Sequence, residues 1–559
     1  MLHRSCLVVA PIALAGALTA AAWAQDPSVL YSFRGGPDCV RLGYDLANAG
    51  DVDRDGFADI FLGSWGGCAR LYSGLTGALL HEFDEGTPFA EFGFAVDGAG
   101  DVNADGVPDL IVGGHADDAF GADSGRAWVF SGQDGNILQV FHGDAADDHF
   151  GAAVAGAGDV NADGYDDVIV GAAAPIYPIE PRNYARVFSG SDGSVLHTFL
   201  GNPDEGDRFG LDVAGAGDVD GDGYDDLLVG APMENNGPGS ANFWTGAVRL
   251  YSGRTGALLA HWFGDATYDF LGTSVAGAGD VNADGVPDIA AGAWGNDVNG
   301  DGAGMVRVYS GADASVLHTF HGDSSGDRLW VVGAAGDVNG DGYDDILMGA
   351  PYESTYNYDA GMARVVSGLD GSILAQFYGT DYLGNLGWAL DGAGDLSGDG
   401  VPELLISAPF ETDGIAGVVR VNSVTPLPLS FDAHALSLSG GGTQSLLLAP
   451  GIGHGGHYYA LLGSASGVSP GTPAGNGHTL PLRRDNYFNR TLFNPYATPL
   501  VNARGVLDSY GIATAHVFIP AGSPSSFVGR TLFHAYALQD PATAMVVLTS
   551  NPAPVTLLP

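Results

Sequence analysis

The stretch that decides the fold lies at residues 218–226, which read DVDGDGYDD and are followed by the apolar run LLVGAP at residues 227–232. Close variants recur at intervals of 50 to 62 residues and begin at Asp51, Asp101, Asp159, Asp280, Asp337 and Asp395. Seven copies at a regular period indicate a repeat architecture, in which each unit buries its apolar face against its neighbours.

Each nine-residue loop carries oxygen-bearing side chains at positions 1, 3, 5 and 9, with glycine at position 6. Calcium takes six to eight oxygen ligands, and glycine permits the sharp turn that brings them together. Asp-Gly clusters also form ordinary turns, but seven loops that share four ligand positions are hard to explain as turns alone. The predicted Ca²⁺ ligands are Asp51, Asp53, Asp55, Asp59, Asp101, Asn103, Asp105, Asp109, Asp159, Asn161, Asp163, Asp167, Asp218, Asp220, Asp222, Asp226, Asp280, Asn282, Asp284, Asp288, Asp337, Asn339, Asp341, Asp345, Asp395, Ser397, Asp399 and Glu403.

The loop opening is shared with the EF-hand, which needs a bidentate acid at position 12 and flanking helices. Here position 12 is apolar in every copy, as at Val112 and Val229, and the acid stands at position 9. The flanking runs are short and apolar, which is typical of buried strands. The EF-hand is therefore excluded.

The charge of the chain is concentrated in its repeats. The formal net charge is -46, of which residues 25–423 carry -48, and all 20 basic residues are arginine. So strong a negative field argues against nucleic acid or an anionic membrane surface as a partner.

Residues 1–24 predict an export signal, because Arg4 precedes an apolar run and the AWA triplet at 22–24 gives a cleavage site before Gln25. We therefore expect a secreted or cell-surface protein, and no later apolar run is long enough to insert into a membrane. Cys39 and Cys68 flank the first loop, and in an exported protein they predict one disulfide, with two free thiols as the alternative.

Each repeat predicts four antiparallel strands. In the fourth copy these are residues 209–217, 227–230, 247–252 and 258–263, separated by turn signals. The seventh copy supplies only three, at residues 386–394, 404–407 and 417–422. An orphan strand at Ser28–Arg34 resembles the missing fourth. We therefore predict an all-β fold, a seven-bladed β-propeller over residues 28–423 whose ring is closed by the N-terminal strand.

Phe-Gly before the first strands and Gly-Ala-Pro after the second strands recur, for example at Phe209-Gly210 and Gly230-Ala231-Pro232. This pattern resembles the FG-GAP repeat family, whose best-known member is the propeller head of integrin alpha subunits. The resemblance implies calcium loops on a lower face and ligand contact on the opposite, upper face. Integrin heads carry calcium in only some blades, whereas all seven loops here have the ligand positions.

The loops between second and third strands are then expected on the upper face. Their aromatic side chains would either be exposed for ligand contact or pack between the loops, and they are Tyr177, Tyr184, Phe243, Trp244, Trp294, Tyr352, Tyr356 and Tyr358. One of these loops repeats the calcium opening at residues 297–302, but Met305 stands at position 9, which predicts a degenerate site.

From residue 424 the pattern changes. Residues 424–559 are rich in Gly, Ser and Pro with short apolar runs, which predicts a small β-sandwich-like domain. His454 and His457 are spaced like metal ligands, but without a third ligand we expect them to face solvent. Asn489 begins a glycosylation acceptor triplet.

Two functions remain open. The first is a calcium-binding adhesion module, a monomer that contacts an extracellular protein or polysaccharide. The second is a secreted polysaccharide-degrading lyase or hydrolase, because fold alone does not separate the two. The chain has no H-E-x-x-H helix or P-loop, and His115, His142, His149 and His261 are scattered along it without a recognisable partner. The absence of an asymmetric catalytic cluster favours binding.

Overall fold

The structure is a computed structural model that describes residues 29–84, 90–173, 183–202, 206–236, 243–398, 400–411 and 416–424. Beyond residue 428 it describes the strands given below and a few neighbouring residues. The predicted export signal, Tyr177, Asp399, His454, His457 and Asn489 lie outside the described residues.

Residues 29–422 form a seven-bladed β-propeller, and each blade is a four-stranded antiparallel sheet. Blade 1 contains β2 (Leu42–Gly50), β3 (Asp59–Ser64), β4 (Ala69–Tyr72) and β5 (Leu79–Phe83). Blade 2 contains β6 (Ala95–Gly100), β7 (Asp109–Gly114), β8 (Arg126–Phe130) and β9 (Ile137–His142). Blade 3 contains β10 (Phe150–Gly158), β11 (Asp167–Ala172), β12 (Tyr184–Phe188) and β13 (Val195–Leu200). Blade 4 contains β14 (Val213–Gly217), β15 (Asp226–Ala231), β16 (Ala247–Tyr251) and β17 (Leu258–Phe263).

The remaining blades follow the same order. Blade 5 contains β18 (Leu271–Gly279), β19 (Asp288–Ala293), β20 (Met305–Tyr309) and β21 (Val316–His321). Blade 6 contains β22 (Val331–Gly336), β23 (Asp345–Ala350), β24 (Met362–Val366) and β25 (Ile373–Tyr378). Blade 7 contains β26 (Leu390–Gly394), β27 (Glu403–Ala408), β28 (Val418–Asn422) and β1 (Val29–Arg34).

The ring closes as predicted, because β1 pairs antiparallel with β28 and completes blade 7. The ring of Phe33 lies 4.3 Å from that of Tyr72 in blade 1, and the buried Tyr31 hydroxyl donates to the carbonyl of Leu75 at 2.5 Å. Cys39 and Cys68 form a disulfide with their Cα atoms 5.5 Å apart, which fastens the segment after β1 to blade 1.

The second strand of every blade is buried along its whole length, which explains its unbroken apolar sequence. Further out, an aromatic ring on one blade stacks on the third strand of the next blade. These pairs are Phe83–Phe130, Phe141–Phe188, Phe199–Tyr251 and Trp262–Tyr309, with centroids 3.9 to 4.7 Å apart. Such contacts add about 0.5–1.5 kcal/mol each beyond area burial and hold neighbouring blades together.

The first strand of blade 4 begins later than predicted, at Val213 instead of Phe209. Arg208 and Gly210 take left-handed backbone conformations ahead of this strand. Blade 7 shows the same delay, and β26 begins at Leu390 after Asn385 and Gly387 in the same conformations.

The strands described beyond residue 428 form two larger sheets and one hairpin, which agrees with the predicted β-rich region. They are β29 (Leu429–Phe431), β30 (Ala435–Ser437), β31 (Gly442–Leu448), β32 (Tyr458–Ser464), β33 (Thr472–Gly475), β34 (His478–Leu480), β35 (Leu500–Val501), β36 (Arg504–Val506), β37 (Ala513–Ile519), β38 (Thr531–Gln539), β39 (Val546–Thr549) and β40 (Ala553–Leu558). One sheet has the order β29-β31-β37-β35, the other β30-β40-β38-β32-β36 with β39 beside β38, and β33 pairs with β34. Among the residues with described positions, no helix has the length and apolarity needed to cross a bilayer.

Candidate metal loops and the opposite face

The seven repeated loops connect the first and second strands of their blades, and all seven therefore lie at one end of the ring. In the fourth loop the two carboxylate oxygens of Asp218 accept hydrogen bonds from the backbone N–H groups of Asp222 and Gly223, both at 3.0 Å. Asp220 accepts a second bond from the N–H of Asp222 at 3.1 Å. Gly223 has a φ of 88°, which few residues with a side chain adopt. The backbone thus gathers the acidic side chains of positions 1, 3 and 5.

The acid at position 9 ties the loop to the far side of its blade. Asp226 is fully buried, and its two oxygens accept from the N–H of Val219 at 3.0 Å and of Gly253, in the turn before the fourth strand, at 3.1 Å. The same pair of bonds is made by Asp59, Asp109, Asp167, Asp288 and Asp345. In the seventh loop Glu403 accepts from the N–H groups of Leu396 and Ser397.

Burial is the main cause that raises the pKa values of these position 9 carboxyls. The pKa rises to about 7 for Asp59, Asp109 and Asp167, and to about 6 for Asp226, Asp288 and Asp345. Neighbouring loop carboxylates contribute to each increase. A divalent cation would reverse this effect, because it favours the ionised form.

Two of the loops bring three carboxylates within 4.8 Å of one another, in the arrangement that can hold a metal ion. The groups are Asp51-Asp53-Asp59 and Asp218-Asp220-Asp222. These two loops have aspartate at position 3, whereas the others have Asn103, Asn161, Asn282, Asn339 and Ser397 there. In the loops with asparagine, the amide oxygen accepts from the N–H of position 5 as the aspartate does.

The acid at position 8, which sequence reasoning missed, links neighbouring loops. Asp166 accepts from the N–H of Asp101, the first residue of the preceding loop, at 2.7 Å. Asp344 does the same for Asp280 at 2.8 Å. The doubled aspartate at positions 8 and 9 was a visible signal of this contact.

The degenerate loop at residues 297–302 does not gather its side chains as the seven loops do. The amide of Asn299 donates to the carbonyl of Gly322 at 2.8 Å, away from Asp297. The carboxylate of Asp297 accepts from the N–H of Gly302, and its backbone carbonyl accepts from the N–H of Gly300. No three-acid group forms at this position among the described residues.

The opposite end of the ring opens into a cavity of about 860 Å³, which we call the funnel. The first strands line it, and each runs from the funnel to its loop, so the funnel and the loops lie at opposite ends. The aromatic side chains that line the funnel are Tyr44, Phe94, Phe270, Trp294, Trp330 and Trp388, and Arg208 lines it as well.

Four aspartates line the funnel below the aromatic side chains and join neighbouring blades. Each accepts a hydrogen bond from a backbone N–H of the next blade: Asp391 from Asn48, Asp45 from Val96, Asp97 from Gly156 and Asp212 from Val275, at 2.8 to 3.0 Å. Burial raises the pKa of Asp45 to about 7 and that of Asp97 to about 8, with further increases from the facing carboxyls.

Two arginines at the edge of the funnel are stacked between aromatic rings. The guanidinium of Arg41 lies 4.6 Å from the ring of Trp65 and 4.7 Å from that of Phe410. Arg328 lies between Trp294 and Tyr352 at 5.0 and 4.7 Å. Two rings within 5.0 Å restrict the movement of each guanidinium.

The predicted exposed aromatics are only partly exposed. Phe243, Tyr356 and Tyr358 are more than half exposed, and Tyr358 stacks on Tyr382. The prediction is wrong for Tyr184, which is buried because it begins β12 and its hydroxyl contacts Asp148. Trp244, Trp294 and Tyr352 are half-buried, and Trp294 stacks on Phe270 with centroids 4.5 Å apart.

The prediction that the histidines have no recognisable partner is also wrong. The Nε2 atom of His115 lies 3.4 Å from a carboxylate oxygen of Glu91, and its ring lies 5.8 Å from that of His149. The Nε2 atom of His261 lies 3.4 Å from Glu234, which also pairs with Arg249. These partners are distant in sequence. They meet because the segments that connect the strands at the funnel end of the ring lie against each other.

Comparison with known proteins gives one repeat family and one group of relatives. The FG-GAP repeat matches residues 150–193, 209–251, 329–366 and 386–421. The chain is 30% identical to integrin alpha-5 of Xenopus laevis over 209 residues, which are 34% of this chain and 19% of that protein. It is 32% identical to integrin alpha-2 of Bos taurus over 207 residues, 34% of this chain and 16% of the relative. It is 28% identical to integrin alpha-V of Gallus gallus over 236 residues, 38% and 22% of the two chains. The alignments therefore span about a fifth of these relatives' length.

Proposed function

We propose that this chain, a seven-bladed propeller that carries FG-GAP repeats and is similar to integrin alpha subunits, is a calcium-stiffened adhesion module of the extracellular space or cell surface. The observation that carries the proposal is the division between the two ends of the ring. Acidic loops of one design stand at one end in every blade, and a cavity lined by large aromatic side chains opens at the other.

Calcium is the ion that suits the loops, because carboxylate, amide and backbone oxygens are the ligands of a hard cation. The acids and amides at positions 1, 3, 5 and 9 of the seven loops would hold it, and it would neutralise their crowded charge. The acid at position 9 would then link the bound ion to the turn before the fourth strand, because it also accepts a hydrogen bond from that turn, as Asp226 does from Gly253. Stiffening all the blades at one end fixes the shape of the funnel at the other.

The funnel is the ligand face in this proposal. A cavity of about 860 Å³ lies within the usual size of ligand sites, and its tryptophan and tyrosine rings suit stacking on sugar rings or on protein side chains. The stacked arginines Arg41 and Arg328 add donors whose movement is restricted. An extracellular protein or a polysaccharide is the expected ligand, bound by a monomer.

A polysaccharide-degrading enzyme is the alternative, and the funnel is its natural place. Tyr44 and Arg208 line the cavity, but none of the described residues that line it is a histidine. Burial raises the pKa of Tyr44 above its ordinary value, so its phenol is a poor base at neutral pH. The four aspartates that line the funnel each accept a hydrogen bond from the backbone of the next blade, which suits a structural role. Together these features favour binding without reaction.

The test is retention of the protein on a panel of polysaccharides and matrix proteins, with calcium and with excess chelator, together with an assay for newly released sugar ends. We expect calcium-dependent retention without product. Replacing Trp388, which lines the funnel, with alanine should weaken retention by roughly 30-fold, the size of a hot spot of about 2 kcal/mol.

The matched control is Trp262→Ala, which removes the same side chain from the outer strand of blade 4. Retention that Trp388→Ala leaves unchanged would exclude the funnel as the contact surface. Retention in chelator equal to that in calcium would remove the role of the loops, and released sugar ends would establish the enzyme.

A further inference from the structure

A cluster of one acid and two histidines lies beside the funnel, and neither the loops nor the funnel lining uses it. Glu91 precedes the first strand of blade 2, His115 follows its second strand, and His149 precedes the first strand of blade 3. The ring of Phe94, which lines the funnel, lies 4.2 Å from the ring of His115.

One ring nitrogen of His115 has no hydrogen-bond partner among the described residues. The residue is 4% exposed, and its Nε2 atom lies 3.4 Å from the Glu91 carboxylate. Its Nδ1 atom is buried and has no hydrogen-bond partner among the described residues. With its proton on Nε2, toward Glu91, the Nδ1 atom presents a lone pair.

His149 lies beside His115, and one of its ring nitrogens also lacks a hydrogen-bond partner among the residues that the structure describes. Its ring centroid lies 5.8 Å from that of His115, and its Nδ1 atom is also buried without a partner in the described part of the chain. Two imidazoles at this separation, one of them backed by a carboxylate on its other nitrogen, form the arrangement in which histidines bind metal ions. A buried polar atom without a partner is costly, and a shared ion would satisfy both nitrogens.

The cluster also breaks the symmetry of the ring. The residue that corresponds to Glu91 and His149 in the other blades has the same left-handed backbone, and there it is Arg41, Arg208, Phe270, Arg328 or Asn385. The position of His115 is taken in other blades by residues such as Trp65, Pro232 and Trp294. A side-chain set that the fold required would recur around the ring, and this one is confined to blades 2 and 3.

We propose that His115 and His149 ligate a divalent transition-metal ion of the Zn²⁺ class, with Glu91 as the positioning residue for His115. Imidazole nitrogen suits zinc, cobalt, nickel and copper, whereas calcium prefers oxygen, so this site is chemically distinct from the seven loops. The ion would keep coordination positions for water or for an oxygen of a ligand held in the neighbouring funnel.

The experiment uses the full-length, tag-free protein with its loops saturated by calcium, titrated with Co²⁺ as a spectroscopic probe. We expect one cobalt ion per chain, a visible absorption band that reports its coordination, and displacement by Zn²⁺. His115→Ala and His149→Ala should each abolish the band, and Glu91→Gln should weaken binding by roughly 10- to 100-fold.

His142→Ala is the matched control, because the Nδ1 atom of His142 is also buried without a partner among the described residues, while its ring contacts Phe120 and no second histidine. Melting temperatures in calcium verify that each variant is folded. Absence of bound cobalt at about tenfold molar excess would overturn the proposal. So would binding that survives in both His115→Ala and His149→Ala, or binding that His142→Ala abolishes.

Discussion

Replacing Asp109 with asparagine separates a metal ligand from a structural hydrogen-bond acceptor. Asp109 is fully buried at position 9 of the second loop, and its two oxygens accept from the N–H groups of Val102 and Gly132, each at 3.0 Å. Asparagine keeps one acceptor oxygen and turns an NH₂ group toward the other N–H. The lost bond and the unsatisfied donor cost roughly 1.5–3 kcal/mol.

In calcium a second loss is added. If the loop binds the ion with calcium in hundredfold excess over its dissociation constant, the ion contributes about 2.7 kcal/mol to the free energy of unfolding. The effect of the substitution in calcium should therefore exceed its effect in chelator by about 2.7 kcal/mol. An unfolding entropy of about 2.1 cal/mol/K per residue over a ring of about 400 residues converts this difference to about 3 °C in Tm.

In chelator the same substitution should have little effect. Burial raises the pKa of Asp109 to about 7, roughly three units above its ordinary value, so the ionised carboxylate costs about 4 kcal/mol at alkaline pH. The neutral asparagine removes this cost, which offsets the lost hydrogen bond. We therefore expect a Tm that is equal to that of the parent or up to about 3 °C higher at pH 8 in chelator.

Differential scanning calorimetry at pH 8, with calcium and with chelator, measures both effects, and native mass spectrometry counts the bound ions. Asp134→Asn, in an exposed turn of the same blade, is the control and should change neither quantity. A drop in Tm of the same size in calcium and in chelator, with the number of bound ions unchanged, would show that Asp109 is an acceptor and not a ligand.

Three further outcomes follow from the described contacts. In chelator the Tm should fall as the pH rises from 5 to 8. Burial raises the folded-state pKa of Asp97 to about 8, so the stability that its protonated form provides is lost through that range. A Tm that rises with pH would contradict the raised pKa of Asp97 as the cause. Asp166→Ala removes a charged acceptor between two loops and should lower the free energy of unfolding by roughly 1.5–3 kcal/mol in denaturant titration, whereas the exposed Asp192→Ala should not change it. Replacing Cys39 and Cys68 together with serine opens a link across 29 residues of sequence and should cost about 3–4 kcal/mol relative to the oxidised parent, and reduction of the parent should cost the same amount.

The sequence was sufficient for those features that repeat. The number of copies predicted the blade count, and the strand missing from the last copy predicted the closing strand. The disulfide was predicted separately, from the only two cysteines that follow the export signal. The position 9 acid was also visible, although its bond across the blade to a turn such as Gly253 was not.

Contacts between residues of different blades could not be predicted from the sequence. The contact of Asp391 with Asn48 joins residues 343 positions apart, and nothing local marks it. The cluster of Glu91, His115 and His149 forms because these residues lie at the funnel ends of two neighbouring blades. Tyr184 was assigned to an exposed loop because the variable segment before it hides where β12 begins.

The pairing of β1 with β28 gives the ring an order in time. Val29 is among the first propeller residues to be synthesised, and its partner Asn422 comes after six complete blades. At about 5–20 residues per second, the closing strand waits for roughly 20–80 s with its hydrogen-bonding edge and its buried side chains unpaired. A chain that stops short of Asn422 retains that exposed strand, so incomplete molecules differ from finished ones by a surface that quality-control factors can recognise.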